Sequence, residues 1–129
     1  MGKKQTALVT DVQQNEVLCH ACIAQIRTAC EDIVKLNLKI EGEKDFNARE
    51  KLILDKNTPF GELLRGRAKL AAPILTYGQN IVKLEKFIAE KSKRWIGKST
   101  LPQAKTFLAN AKTVLKDYQD LIEASKLAR

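Results

Sequence analysis

The sequence predicts an all-α protein, an up-and-down antiparallel bundle of three long helices and one short helix. Apolar residues recur at intervals of three and four along most of the 129-residue chain, which places them on one side of an α-helix. Six Gly and three Pro supply few turns for an all-β fold. A hydrophobic fraction of 44% is enough for one buried core, so we expect a single domain over residues 1–129, with residues 1–5 frayed.

The first helix is predicted to extend from about Thr6 to Ile40, and Gly42 is well placed to end it. Its apolar residues keep a near-continuous seven-residue repeat, which Asn15 interrupts. Ile23 and Cys30 widen the stripe, and that width suits a helix that packs against two or more neighbours. The residues of the stripe are Leu8, Val12, Cys19, Cys22, Ile26, Ala29, Ile33, Leu36 and Ile40.

A short second helix is predicted from Phe46 to about Asp55, with Asp45 as its N-cap. Its inner side would carry Phe46, Arg49, Leu52 and Ile53. The third helix follows, with Thr58 as a suitable N-cap and Pro59 as a favoured first helical residue.

Pro73 lies inside the third helical segment, where it removes one backbone hydrogen bond and crowds the preceding turn. The apolar residues before and after it join without a turn-like gap, so we expect a kink and not a loop. The helix is then predicted to reach Gly97, with Trp95 as a core anchor or, alternatively, as a partly exposed ring that stacks on a partner. The apolar stripe of this half comprises Ile74, Tyr77, Ile81, Leu84, Ile88 and Trp95.

The last helix is predicted to open near Thr100, which has capping-box spacing to Gln103. Its inner stripe comprises Ala104, Leu108, Ala111, Leu115, Tyr118 and Ile122. The connections of roughly three to six residues make consecutive helices antiparallel. Either the short helix or the half-helix before Pro73 would complete a four-helix bundle.

The net charge of +8 is unevenly distributed along the chain. Residues 1–58 hold nine Lys and Arg and nine Asp and Glu, so they are neutral. Residues 59–98 hold nine Lys and Arg against three Glu, a net +6, and residues 99–129 add +2. An excess of positive charge that is concentrated in one segment favours binding to a polyanion.

Cys19 and Cys22 have the spacing of some zinc and redox sites, but the pattern suits a structural role better. Both lie in the middle of a predicted helix on its apolar stripe, whereas reactive pairs sit at helix N-termini. Cys30 is about 16 Å farther along that helix, too far to share one metal ion with Cys19.

The sequence predicts neither an enzyme nor a cofactor or metal. His20 is the one histidine, and no Gly-rich phosphate loop follows a strand. The chain has no apolar run of the ~20 residues needed to span a bilayer. It also lacks a leader-like N-terminus, so we expect a cytoplasmic protein with reduced thiols.

Eight basic residues on the third helical segment are the candidate binding residues. A helix that carries cations at such intervals can follow a phosphate backbone. An ordinary solvated face, diluted by Glu85 and Glu90, is the alternative interpretation. The candidates are Arg65, Lys69, Lys83, Lys86, Lys91, Lys93, Arg94 and Lys98.

The first functional hypothesis is a non-enzymatic protein that binds RNA or DNA through the phosphate backbone, alone or as a small subunit of a nucleoprotein assembly. The alternative is a protein-interaction module: an adaptor, an immunity-type inhibitor or an assembly subunit. Its basic face would meet an acidic protein surface and an exposed apolar stripe would meet a partner helix or a second copy. Membrane attachment through lipidation of Gly2, which matches a short myristoylation pattern with Thr6, is a weaker third class.

Overall fold

The computed structural model describes residues 2–94 and 100–129, and within these ranges the chain forms four helices and no strand. In chain order they are α1 (Lys3–Gly42), α2 (Phe46–Asp55), α3 (Asn57–Ser92) and α4 (Leu101–Ser125). The all-α helical bundle predicted from the sequence is therefore confirmed. None of the four described helices is both long and apolar enough to cross a membrane.

Helices α1 and α3 run antiparallel and form the most extensive contact of the bundle. Near one end, Gln25 Nε2 donates a hydrogen bond to a Glu62 carboxylate oxygen at 3.0 Å. Toward the other end, the Asn80 side chain donates to Asn15 Oδ1. Asn15, which interrupts the apolar repeat of α1, therefore has its polar partner inside the helix pair. A paired amide of this kind fixes the register between two helices.

Helix α4 lies parallel to α1 and antiparallel to α3. Gln5 meets Thr100 immediately before α4, and His20 meets Tyr118 farther along both helices. The three long helices therefore form an up-down-up bundle. Neither α2, which contributes no buried residue, nor the segment before Pro73 supplies a fourth bundle helix, because α3 continues through that proline without a break.

The core is built on seven-residue repeats in both α1 and α3. Such spacing keeps one seam of each helix facing its neighbour and is typical of left-handed supercoiled packing. The buried positions of α1 that follow this spacing are Gln5, Val12, Cys19, Ile26, Ile33 and Ile40. Those of α3 are Leu63, Leu70, Tyr77 and Leu84. Most of the apolar stripes expected from the sequence are buried in this way, and Gln5 extends the repeat of α1 by a polar residue.

Gly66 lies where α1 and α3 come closest together. A Cβ atom added to it would lie 2.9 Å from Cγ1 of the fully buried Ile26 and 3.6 Å from the backbone oxygen of Cys22. A side chain at this position has no room unless the helices move apart. The absence of a side chain at Gly66 therefore sets the distance between the two longest helices.

Two helix ends differ from the sequence prediction. Helix α1 begins at Lys3 and not at Thr6, and Gln5 is fully buried, so the expectation of a frayed segment is wrong for residues 3–5. Helix α3 ends at Ser92, before the predicted Gly97. Gly97 itself lies outside the described residues, as does Trp95, so the two interpretations of that ring are not distinguished.

The predicted caps have mixed outcomes. Asp45 caps α2 as expected, since its carboxylate accepts a hydrogen bond from the backbone N–H of Ala48 at 2.9 Å. Thr58 is not an N-cap, because α3 already begins at Asn57. Lys56 alone separates that residue from Asp55, where α2 ends. Thr100 does precede α4, but it makes no side-chain cap and no capping box, and its hydroxyl accepts a hydrogen bond from Gln5.

The predicted inner side of α2 is also wrong. Phe46, Arg49 and Ile53 are exposed, and only Leu52 of the four residues is half-buried. A helix of ten residues that connects two long neighbours lies at the end of the bundle, where little apolar surface remains for it to cover. The spacing of the apolar residues in this segment predicted the helix correctly. It could not show that α2 lies outside the core of the bundle.

Replacing Gly66 by alanine is expected to lower the free energy of unfolding by about 1–3 kcal/mol, because the new methyl group overpacks the α1–α3 contact. Gly78→Ala is the matched control, since its Cβ would meet only Leu115, at 3.8 Å. At position 78 the higher helix propensity of alanine is expected to raise the free energy of unfolding by up to about 1 kcal/mol. Urea unfolding followed by circular dichroism measures both, and a Gly66→Ala protein as stable as Gly78→Ala would contradict the close approach.

Candidate functional site

Lysine and arginine side chains from two distant parts of the chain gather at one end of the bundle. The antiparallel pairing of α1 and α3 places the first turn of α1 beside the last turn of α3. Lys4 Nζ lies 5.6 Å from the centroid of the Phe87 ring, and Lys91 Nζ lies 5.8 Å from the same centroid. We call this group the basic end, and it comprises Lys3, Lys4, Lys91, Lys93 and Arg94.

A buried amide holds the basic end together. Gln5 is fully buried, its Oε1 accepts a hydrogen bond from Lys91 Nζ at 2.9 Å, and its Nε2 donates to Thr100 Oγ1 at 3.4 Å. Buried polar groups need such partners, because an unsatisfied one costs about 1–3 kcal/mol. Gln5 therefore joins α1, α3 and the residue before α4, and it fixes the half-buried Lys91 in position.

Two of the three glutamates of the third helical segment, Glu62 and Glu85, already form ion pairs. Among the described residues four ion pairs form, and they join Glu62 to Arg65, Glu85 to Lys112, Asp120 to Lys116 and Glu123 to Lys126. Glu85, which was expected to dilute the basic strip, is therefore held by a lysine of α4. Hydrogen bonding to Arg65, followed by the charge of that guanidinium, holds the pKa of Glu62 below its usual value.

Of the predicted binding residues, most keep their charge without a carboxylate partner. Within residues 2–94 and 100–129, no carboxylate oxygen lies within 4.0 Å of the side-chain nitrogens of six of them. These six are Lys69, Lys83, Lys86, Lys91, Lys93 and Arg94. Arg65 is the exception, because its guanidinium pairs with Glu62.

The eight predicted residues do not form one strip. Arg65 and Lys69 lie toward the opposite end of α3, with Arg65 eighteen residues or about 27 Å from Lys83 along the helix axis. Lys93 and Arg94 lie in the turn that immediately follows α3. Lys98 lies outside the described residues.

Lys3 and Lys4 belong to the basic end although they are not among the eight residues predicted from the sequence. They lie in the neutral half of the chain, more than eighty residues from Lys91. If the seven-residue repeat of α1 is continued back to Gln5, the predicted helix begins near Lys3. The two lysines then lie beside the end of α3. This repeat is visible in the sequence, but its continuation requires a polar residue, Gln5, at a core position.

The cysteines lie apart from the basic end. Burial, with smaller contributions from the neighbouring Cys22 and Glu16, raises the pKa of the Cys19 thiol to about 11. Burial and then Glu31 raise the pKa of Cys30. Cys19 therefore remains protonated at neutral pH and is a poor nucleophile. In the part of the chain that the structure describes, no three His, Cys, Asp or Glu side chains are grouped to hold a metal ion.

Replacing Gln5 by leucine is expected to destabilise the protein by about 1–3 kcal/mol, because the Lys91 ammonium and the Thr100 hydroxyl lose their partner. Gln14→Leu, at an exposed position of α1, is the matched control and is expected to change the stability by no more than about 0.5 kcal/mol. Thermal and urea unfolding compare the two variants. Equal stabilities would show that the buried amide does not hold the basic end together.

Iodoacetamide is expected to alkylate Cys19 at least about tenfold more slowly than Cys22 at pH near 8, because Cys19 is buried and its thiolate fraction is small. Both cysteines should react at similar rates in urea. Peptide mass spectrometry of samples quenched at successive times measures each site separately. Rapid labelling of Cys19 in the native protein would show that this part of the core opens readily.

No protein-family model matches the chain, and no curated protein or solved structure matches it either. The functional interpretation therefore depends on the chemistry of the chain's own residues.

Proposed function

We propose that this protein binds nucleic acid through the phosphate backbone at its basic end and is not an enzyme. One observation carries the proposal: the fold gathers cations from the first turn of α1 and from the end of α3. Lys3, Lys4, Lys93 and Arg94 are all exposed there. A cluster assembled from both ends of a helix pair offers a broader charged surface than one helical strip.

Phosphate binding is the chemistry that suits this group best. Each lysine or arginine that contacts a phosphate releases counterions, so affinity accumulates with the number of contacts and weakens with salt. Lys91 is positioned by Gln5 and by the Phe87 ring, so less side-chain entropy is lost when it binds. Arg94 adds a guanidinium that can donate two hydrogen bonds to one phosphate.

Binding to the phosphate backbone of the nucleic acid is favoured over recognition of its bases. Phe87 is the aromatic ring of the basic end among the described residues, and Lys4 and Lys91 lie over it. A base that stacked on this ring, as single-stranded bases commonly do on aromatic side chains, would compete with both ammonium groups for it. The proposed binding is therefore independent of nucleotide sequence and suits a subunit that lines a nucleic-acid path in a larger assembly.

The second candidate is a protein-interaction module, either through the basic end on an acidic protein surface or through an apolar face. One observation favours the apolar face: three large aliphatic side chains of α3, Leu64, Leu75 and Val82, point into solvent. The apolar face is a surface separate from the basic end.

Fluorescence anisotropy with unrelated single- and double-stranded oligonucleotides tests nucleic-acid binding. We expect micromolar affinity at about 50 mM salt that weakens at least about tenfold at about 200 mM. The double variant Lys93→Glu/Arg94→Glu is expected to lose at least about tenfold in affinity at the lower salt, because two phosphate contacts become repulsive.

The matched control is Lys44→Glu/Lys51→Glu, which changes the net charge equally at exposed positions near the opposite end of the bundle. It should keep its affinity within about threefold. If both double variants lose the same affinity, only the overall charge matters and the basic end is not the site. No binding by the original protein at low salt would exclude nucleic acid altogether.

A further inference from the structure

Helix α3 carries a second apolar stripe on a side that faces neither α1 nor the centre of the bundle. Its six residues follow alternating steps of four and three, the spacing of the buried seams of this protein. They are Leu64, Ala68, Ala71, Leu75, Gly78 and Val82. Leu64 is 62% exposed, Leu75 63% and Val82 47%, so the large members of the stripe lie in water. We call these residues the outer stripe of α3.

The outer stripe forms one wall of a groove between α3 and α4. Ile122 and Gln119 of α4 form the other wall, and the larger part of the groove has a volume of about 920 Å³. A second part of about 430 Å³ continues past Ala68 toward Leu64, and both parts share Ala71, Ile74 and Ile122. From Leu64 to Lys86 the groove follows twenty-two residues of α3, or about 33 Å. A helix of about six turns would fit along it.

Small residues between the large ones leave room for the backbone of an incoming helix. Ala68 and Ala71 lie between Leu64 and Leu75, and Gly78 lies between Leu75 and Val82. At Gly78 the nearest atom to an added Cβ is a Leu115 methyl carbon at 3.8 Å, an ordinary van der Waals distance, and the glycine itself presents no side chain to an incoming helix. Helices pack 8–10 Å apart when ridges of side chains on one fit grooves on the other, and small residues in the contact allow the closer distances.

The charges beside the groove are mainly positive. Lys83 and Lys86 border one end of it, and Arg67 and Lys126 border the other. Glu123 is the carboxylate among the lining residues, and it already pairs with Lys126 at 2.9 Å. A second copy of this chain would bring the same cations against these, which disfavours self-association. Carboxylates on the occupant would instead meet cations at both ends of the groove.

We propose that the groove between α3 and α4 binds one amphipathic, acidic α-helix of a partner protein and that this helix completes a four-helix bundle. The partner helix would carry apolar residues at three- and four-residue steps toward Leu75 and Val82. Acidic residues on its flanks would face Lys83, Lys86 and Arg67. This site is separate from the basic end, so the inference does not depend on nucleic-acid binding.

A fluorescent peptide of about 22 residues, with leucine at alternating three- and four-residue steps and glutamate on both flanks, serves as the probe. Its isomer with lysine in place of glutamate serves as the charge control. The acidic peptide is expected to bind with micromolar affinity and the basic isomer at least about tenfold more weakly. Methyl chemical shifts of Leu75, Val82, Leu115 and Ile122 should change on binding.

Two substitutions locate the site. Leu75→Asp is expected to reduce peptide affinity at least about tenfold without unfolding the protein, because Leu75 is exposed. Leu18→Asp changes a leucine of similar exposure (57%) on α1 and should bind the peptide like the original protein. Lys83→Glu/Lys86→Glu should remove the preference for the acidic peptide over the basic one.

Several results would overturn the proposal. These are the absence of acidic-peptide binding, equal affinity for the two peptides, and equal losses of peptide affinity in Leu75→Asp and Leu18→Asp. Sedimentation of the protein alone that shows a dimer abolished by Leu75→Asp would assign the groove to a second copy. Peptide binding that is lost in Lys93→Glu/Arg94→Glu but kept in Leu75→Asp would place the peptide at the basic end.

Discussion

The antiparallel packing of α1 on α3 brings the cations at the start of α1 beside those at the end of α3. It requires a residue without a side chain at Gly66, because Ile26 of α1 occupies the space that a Cβ would need. The amide pair of Asn15 and Asn80 then fixes how far one helix is displaced along the other. With that register, the first turn of α1 meets the last turn of α3. A displacement by one turn, about 5.4 Å, would remove Lys4 from the Phe87 ring.

Much of the fold could be predicted from the sequence because the apolar spacing of a helix is a local property. The three long helices, the short α2 and the cap at Asp45 all follow from residues that are near one another in the chain. The errors occur where distant residues decide the outcome. Thr100 makes no side-chain cap, and its hydroxyl accepts a hydrogen bond from Gln5, ninety-five residues away in the chain. The exposed inner side of α2 likewise depends on which neighbours cover it.

The candidate site was less predictable than the fold for the same reason. The excess charge of residues 59–98 was visible in the sequence, but its arrangement was not. Arg65 and Lys69 lie too far along α3 to act with the basic end, whereas Lys4 joins it from the neutral half of the chain. The pairing of Glu85 with Lys112 of α4 also required the tertiary structure. Net charge along a segment predicts a class of partner, and helix packing decides which cations can act together.

The position of Gln5 links the assembly of the basic end to the folding of α1. Its two hydrogen bonds require α1, α3 and the residue before α4 to be docked together, so they are lost whenever the first turn of α1 detaches. Local opening of a helix terminus costs less free energy than global unfolding and occurs more often. Such opening would carry Lys3 and Lys4 away from the remaining cations. An anion held by the whole group would oppose this opening through mass action and slow hydrogen exchange at the start of α1.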